Sequence, residues 1–172
     1  MKPTIGNPEI DYPEYLIHCQ WMEHAIALAQ VAGDAGEVPV GAVVVSSGQI
    51  IAEAENRRER DRDPTAHAEV LALREAGRQL KNWRLNACTL YVTLEPCPMC
   101  AGAIVLARLG LLVYGADDPK AGAVRSVLNL PDSSASNHRL QVLDGIRESA
   151  CRQQLQNWFA QRRRSLSEAS EA

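Results

Sequence analysis

Thr89-Leu90-Tyr91-Val92-Thr93-Leu94-Glu95-Pro96-Cys97-Pro98-Met99-Cys100-Ala101-Gly102-Ala103 changes character at its centre. Thr89 to Leu94 is apolar or β-branched at nearly every position, which predicts a buried strand. Pro96 and Pro98 end it. Pro98 suits the first position of a helix, where the N–H that proline lacks would have no partner. That helix is expected to run to about Ala107, and Gly110 to Gly115 predicts another strand. Strands alternating with helices at this spacing imply an α/β sandwich.

Upstream, apolar side chains recur at Tyr15, Cys19, Met22, Ile26 and Ala29, in alternating steps of four and three. This period predicts a helix from Tyr12, closed by Gly33 and Gly36. Val38 to Ser46 predicts a strand, Ser46-Ser47-Gly48 a turn, and Gln49 to Ala54 a second strand, together a hairpin. A charged segment, Glu55 to Asp63, leads to Pro64-Thr65. Ala66, Val70, Leu73, Gly77 and Leu80 keep helical spacing, which sets His67-Ala68-Glu69 in a first turn with Thr65 as the N-cap. Downstream, Ala116 to Asn137 reads as irregular, with one short helix near Ala123 to Asn129. Arg139 to Leu143 predicts a short strand, and Ile146, Cys151, Leu155 and Phe159 mark a last helix. Residues 1–11 are expected to form an extended arm and 165–172 a polar tail, with one domain over 12–164.

A chain of 172 residues with 46% hydrophobic and 23% charged residues has the composition of a soluble globular protein. No apolar run resembles a signal peptide, and Val40 to Val45 and Leu109 to Val113 are far too short to cross a bilayer. We therefore expect no membrane association and a cytoplasmic location. Five cysteines, an odd number without regular spacing, point to a reducing compartment rather than a disulfide framework. The net charge of −3 argues against general nucleic-acid binding. Between Pro119 and Arg164, however, basic side chains outnumber acidic ones, which fits either a local polyanion site or a solvated helix face.

His67, Cys97 and Cys100 offer three ligands of the kind zinc takes. Three protein ligands leave the fourth tetrahedral position to water, the arrangement of a catalytic site, whereas a structural site is closed by a fourth Cys or His. Cys97 and Cys100 stand three apart and project to one face of a helix start, where free N–H groups favour thiolates. Glu69 follows His67 by two, about 200° around a regular helix. Both can serve one site only if the helix end points into it. A carboxylate so placed can take a proton from metal-activated water and hand it to a substrate. A structural zinc module is the alternative of a different class, with Glu69 as its fourth ligand.

His-x-Glu combined with Pro-Cys-x-x-Cys is the signature of zinc deaminases that act on nucleobases. Three segments, Glu37 to Val45, Asp63 to Glu69 and Thr93 to Ala103, resemble the bacterial tRNA-specific adenosine deaminase family, within the cytidine-deaminase-like superfamily. Gly115-Ala116-Asp117-Asp118-Pro119-Lys120-Ala121-Gly122-Ala123 and Asn137-His138-Arg139 fit the same family. The similarity extends from about Tyr12 to Arg164.

The resemblance implies a three-layer α/β/α sandwich with a mixed five-stranded sheet, one Zn2+ per subunit, and a homodimer that builds its RNA site from both subunits. It implies conversion of adenosine to inosine at the wobble position of a tRNA anticodon loop. His67, Cys97 and Cys100 would bind the metal and Glu69 would shuttle protons. Val40, Asn56 and Ala68 would meet the flipped nucleotide, and Asp118, Lys120, Asn137 and His138 its neighbours. Asn56 reads equally as a turn residue ending the second strand. Arg57, Arg58, Arg60 and Arg62 alternate with acids as a solvated loop does. Trp158-Phe159 and Arg162-Arg163-Arg164 offer stacking and phosphate contacts, while Phe159 reads equally as core. The competing activity is deamination of free guanine, cytosine or deoxycytidylate.

Overall fold

The computed structural model describes residues 12–170, so the expected arm at 1–11 lies outside the described residues. Its sheet consists of β1 (Gly41–Ser46), β2 (Gln49–Glu55), β3 (Thr89–Leu94), β4 (Leu111–Ala116) and β5 (Gln141–Leu143). The strand order is β2-β1-β3-β4-β5. β1 is antiparallel to both neighbours, whereas β3, β4 and β5 run parallel. The sheet is therefore mixed and five-stranded, as the resemblance implies.

Alternation along the strands divides the core into two layers. Ala42, Val44, Leu90, Val92, Leu112 and Tyr114 face α3 (Ala68–Gln79) and α4 (Pro98–Leu106). Val43, Val45, Tyr91 and Val113 face the opposite layer, α1 (Tyr12–Asp34) and α5 (Glu148–Ser170), where Met22, Ala25 and Cys151 are buried. Gly41 is required where α1 crosses β1. A Cβ there would overlap the Ala25 carbonyl and the Ala29 amide.

Several local expectations are corrected. No helix forms over 123–129, where the chain makes turns. The amides of Val124, Arg125 and Ser126 are taken by the Glu95 carboxylate rather than by carbonyls one turn back. The charged segment holds a four-residue helix, α2 (Arg58–Asp61), because buried Glu37 accepts the amides of Glu59 and Arg60 at 3.1 and 2.7 Å. β1 begins at Gly41 rather than Val38, since the carbonyls of Val38 and Val40 bind Asn56. β5 begins at Gln141 rather than Arg139, and α5 continues through Ser165, where the polar tail was expected, to Ser170. The N-cap of α3 is His67, not Thr65, whose amide and hydroxyl both bind Asp63 Oδ1. Among the described residues, no helix is long and apolar enough to cross a membrane, and all five cysteines are free thiols.

Candidate active site

Two helix starts meet at the carboxyl end of β3. His67 caps α3 in an extended conformation (φ −75°, ψ 146°), and Cys97 caps α4 likewise (φ −70°, ψ 173°). Neither side chain closes back on its own helix, so both are free to point outward. This resolves the 200° problem. His67 lies off the helical wheel, and Glu69 occupies the second helical position on the cavity side.

His67 Nδ1 stands 3.7 Å from Cys97 Sγ and 3.5 Å from Cys100 Sγ. The three donor atoms lie within 4.8 Å of one another. Around a tetrahedral zinc, nitrogen and sulfur donors at about 2.05 and 2.3 Å stand about 3.6 Å apart. Both nitrogen–sulfur spacings fit that geometry, so these three residues could hold a zinc ion. Among the described residues this is the one such cluster of His, Cys, Asp or Glu.

The electrostatics agree. A hydrogen bond from Cys100, opposed by burial and assisted by His67, brings the Cys97 thiol down to about 4. The same hydrogen bond and burial hold Cys100 far above the ordinary thiol range. The hydrogen bond with Cys97 raises His67, although burial acts the other way. A divalent cation replaces the proton that this donor set otherwise retains. Glu69 is 4% exposed, and burial raises its carboxyl above the usual range, only partly offset by His67.

A cavity of about 200 Å³ opens on these groups. Val40, Asn56, Ala68 and Asp118 line it together with His67, Glu69 and Cys97, so these predicted residues are brought together. Asn56 Nδ2 donates to the Val38 carbonyl at 3.1 Å, while its buried Oδ1 has no partner among the described residues. Lys120 instead lines an adjoining groove with Arg152, Phe159 and Arg163. Asn137 and His138 are not brought to the cavity. His138 Nε2 binds the Leu109 carbonyl at 2.6 Å, ahead of β4 and at the other end of the sheet from Ala116. Trp158 donates to the Gly33 carbonyl at 3.2 Å, and Phe159, 43% exposed, lines the groove beside the cavity rather than the core.

Three residues that hold or line the cavity escaped the sequence reading. Glu95, 2% exposed, accepts the amides of Asp118, Val124, Arg125 and Ser126 at 2.7–3.1 Å, and the Ser126 hydroxyl. Burial alone would raise its carboxyl, but hydrogen bonds from Ser126, Arg125 and Asp118 bring it below the usual range. A side chain at Gly122 would strike this carboxylate. Glu37 anchors the opposite rim through α2, and Arg58 lines the cavity. The available signal was a carboxylate next to an apolar strand, as in Leu94-Glu95 and Glu37-Val38.

Residues 17–163 match the family model described as MafB19-like deaminase. A tRNA-specific adenosine deaminase of Bacillus subtilis is 47% identical over 144 residues, covering 84% of this chain and 89% of its own length. A solved structure from studies of A-to-I editing by tRNA:A34 deaminases at the wobble position of transfer RNA is 44% identical, with a TM-score of 0.77 over 78% of this chain and 98% of that one. A guanine deaminase from Nitrosomonas europaea superposes with a TM-score of 0.70 at 27% identity, over 83% and 84% of the two chains.

Proposed function

This chain belongs to the tRNA-specific adenosine deaminase family, and we propose that it uses zinc to deaminate the wobble adenosine of a tRNA anticodon, yielding inosine. One observation carries the mechanism: His67 Nδ1 and two cysteine sulfurs converge at zinc spacing, beside the buried Glu69 carboxylate, on the wall of a base-sized cavity.

His67, Cys97 and Cys100 would hold the ion. Zinc bound there supplies a Lewis acid that lowers the pKa of water. The net reaction adds water at C6 of adenine and releases ammonia. Glu69 accepts one proton from the water at a carboxylate oxygen and passes it to the ring nitrogen as the oxygen bonds to C6; it then carries the proton of the added hydroxyl to the amine, which leaves as ammonia when the C6–N bond breaks. A carboxylate buried beside the metal site can serve both directions of transfer. The Asn56 amide, fixed by Val38, presents Oδ1 as an acceptor for a donor on the base. Val40 and Ala68 give the apolar walls, and Asp118 and Lys120 stand where flanking nucleotides pass.

The protein acts in the cytoplasm as a homodimer. Met99 and Leu106, seven residues apart, leave an apolar face of α4 exposed, a surface suited to a second copy. Asn137 and His138 would then reach RNA across that contact.

An anticodon stem–loop carrying a wobble adenosine, incubated with zinc-loaded protein beside free guanine, cytosine and deoxycytidylate, is expected to yield inosine. Turnover of a free base or nucleotide with none on the RNA overturns the assignment.

A further inference from the structure

We propose that Arg58 grips the RNA phosphate joining the target nucleotide to its neighbour, a role that rests on the deaminase reading above. Two cavities meet at this residue. The catalytic cavity lies on one side. On the other is a groove of about 280 Å³ whose far wall is built by Phe159, Arg162 and Arg163 of α5. Val38, Asn56 and Arg58 line both, and Arg58 is the one cation among them. A base in the first cavity and its neighbour in the second place their linking phosphate between the two.

The catalytic cavity is also lined by carboxylates, Glu69, Glu95 and Asp118. A phosphate entering beside them needs a compensating charge, and among the described residues Arg58 is the only Lys or Arg in the cavity wall. Its neighbours on the loop are engaged elsewhere. Arg57 pairs with Asp61 at 3.3 Å, and Arg60 with Glu55 at 2.9 Å. Among the described residues, Arg58 has its ion pair with the adjacent Glu59 at 3.3 Å, with both side chains at least half exposed. Such a surface pair contributes little and gives way to a phosphate. A guanidinium can then bind the phosphate with two parallel hydrogen bonds.

The backbone beneath Arg58 is already set. Glu37 is 1% exposed and holds the amides of Glu59 and Arg60. The arginine therefore projects from a fixed rim, and less ordering opposes binding. Across the groove, the Arg162 guanidinium lies 5.3 Å from the Trp158 ring, which orders the facing wall as well.

The test uses zinc-loaded, full-length protein and an anticodon stem–loop whose phosphate on either side of the target adenosine is replaced, one at a time, by a neutral methylphosphonate. Wild-type turnover of the unmodified RNA tests the deaminase reading separately. Arg58→Ala is expected to raise KM about 10-fold or more, the scale of a lost charge-assisted hydrogen bond, with kcat little changed. One of the two methylphosphonates should penalise wild type to a similar degree and add nothing in Arg58→Ala. Arg58→Lys should fall between, keeping the charge but losing the fork. Arg62→Ala, on the same loop but in neither cavity wall, should behave as wild type. Methylphosphonate penalties equal in wild type and Arg58→Ala overturn the proposal. So does an equal loss in Arg62→Ala, which would mark a diffuse charge effect.

Discussion

α3 and α4 begin alike and end up with different chemistry. Each has an extended ligand residue at its N-cap, His67 or Cys97, with no side-chain cap. They differ in where the next polar side chain falls. In α4 it is Cys100, at the third helical position, where the last residue of a capping box would stand, and so it joins the cluster that could hold a metal. In α3 it is Glu69, at the second position, which looks past the ligands into the cavity. A shift of one residue separates a proposed ligand from a proposed acid–base group.

The strongest way to break this comparison is to empty the third position of α4. Cys100→Ala, or chelation of the parent protein, should remove the metal and reduce turnover to background, followed by metal analysis beside an inosine assay. Activity that survives complete chelation would refute the site.

Next is the second position of α3. Glu69→Gln should retain zinc yet lose about 10²- to 10⁴-fold in kcat, the range of general acid–base catalysis. If the variant loses its metal, Glu69 is a ligand after all and the two helix starts are equivalent. The pH dependence has a definite sign. Glu69 must be ionised to accept a proton, so kcat/KM falls as acid protonates it; in the metal-free protein burial raises its carboxyl above the usual range. The stability effect runs the other way. A carboxyl whose folded pKa exceeds its unfolded value favours the fold while protonated, and that contribution is lost as pH rises through the folded pKa. Metal-free Glu69→Gln should therefore melt higher than the metal-free parent at neutral pH. An unchanged or lower Tm would contradict the burial argument.

A smaller effect sharpens what precedes the helices. Ahead of α4, buried Glu95 gathers four amides and a hydroxyl; ahead of α3, the half-buried Asp63 carboxylate accepts the amide and hydroxyl of Thr65. Glu95→Gln puts an amide group where only acceptors are wanted, and should cost roughly 2–3 kcal/mol in urea unfolding at neutral pH. Because the Glu95 pKa is depressed, its contribution is present above the unfolded value and lost as pH falls through the folded one. The deficit should shrink with acid, and a deficit independent of pH would point to packing instead.

The smallest effect belongs to the first position. Pro98→Ala leaves every ligand in place and removes only the pre-set backbone, so a loss of about 0.4–1 kcal/mol with unchanged zinc content is expected. Loss of zinc would show that the proline holds the cap geometry itself.

The strand at Thr89–Leu94 and the helix opening at Pro98 were legible because apolar runs and prolines act within a few residues of themselves. The same holds for the hairpin, where Gly48 takes a positive φ of 71°. The segment over 123–129 was misread for the opposite reason. Its helical propensity is local, but its amides are claimed by Glu95, about thirty residues earlier. Thr65 looked like a cap and serves instead as the partner of Asp63.

By itself the sequence determined the alternation of strands and helices and the donor types His67, Cys97, Cys100 and Glu69, since period and side-chain chemistry are written into each short stretch. Only the tertiary structure decided that His67 leaves the helical wheel, that Asn56 keeps a buried acceptor without a partner among the described residues, and that Arg58 stands between two cavities. These depend on carboxylates and carbonyls reaching across the fold. No local pattern announces such a reach, because a buried hydrogen bond is fixed by where the chain returns rather than by what stands next to it.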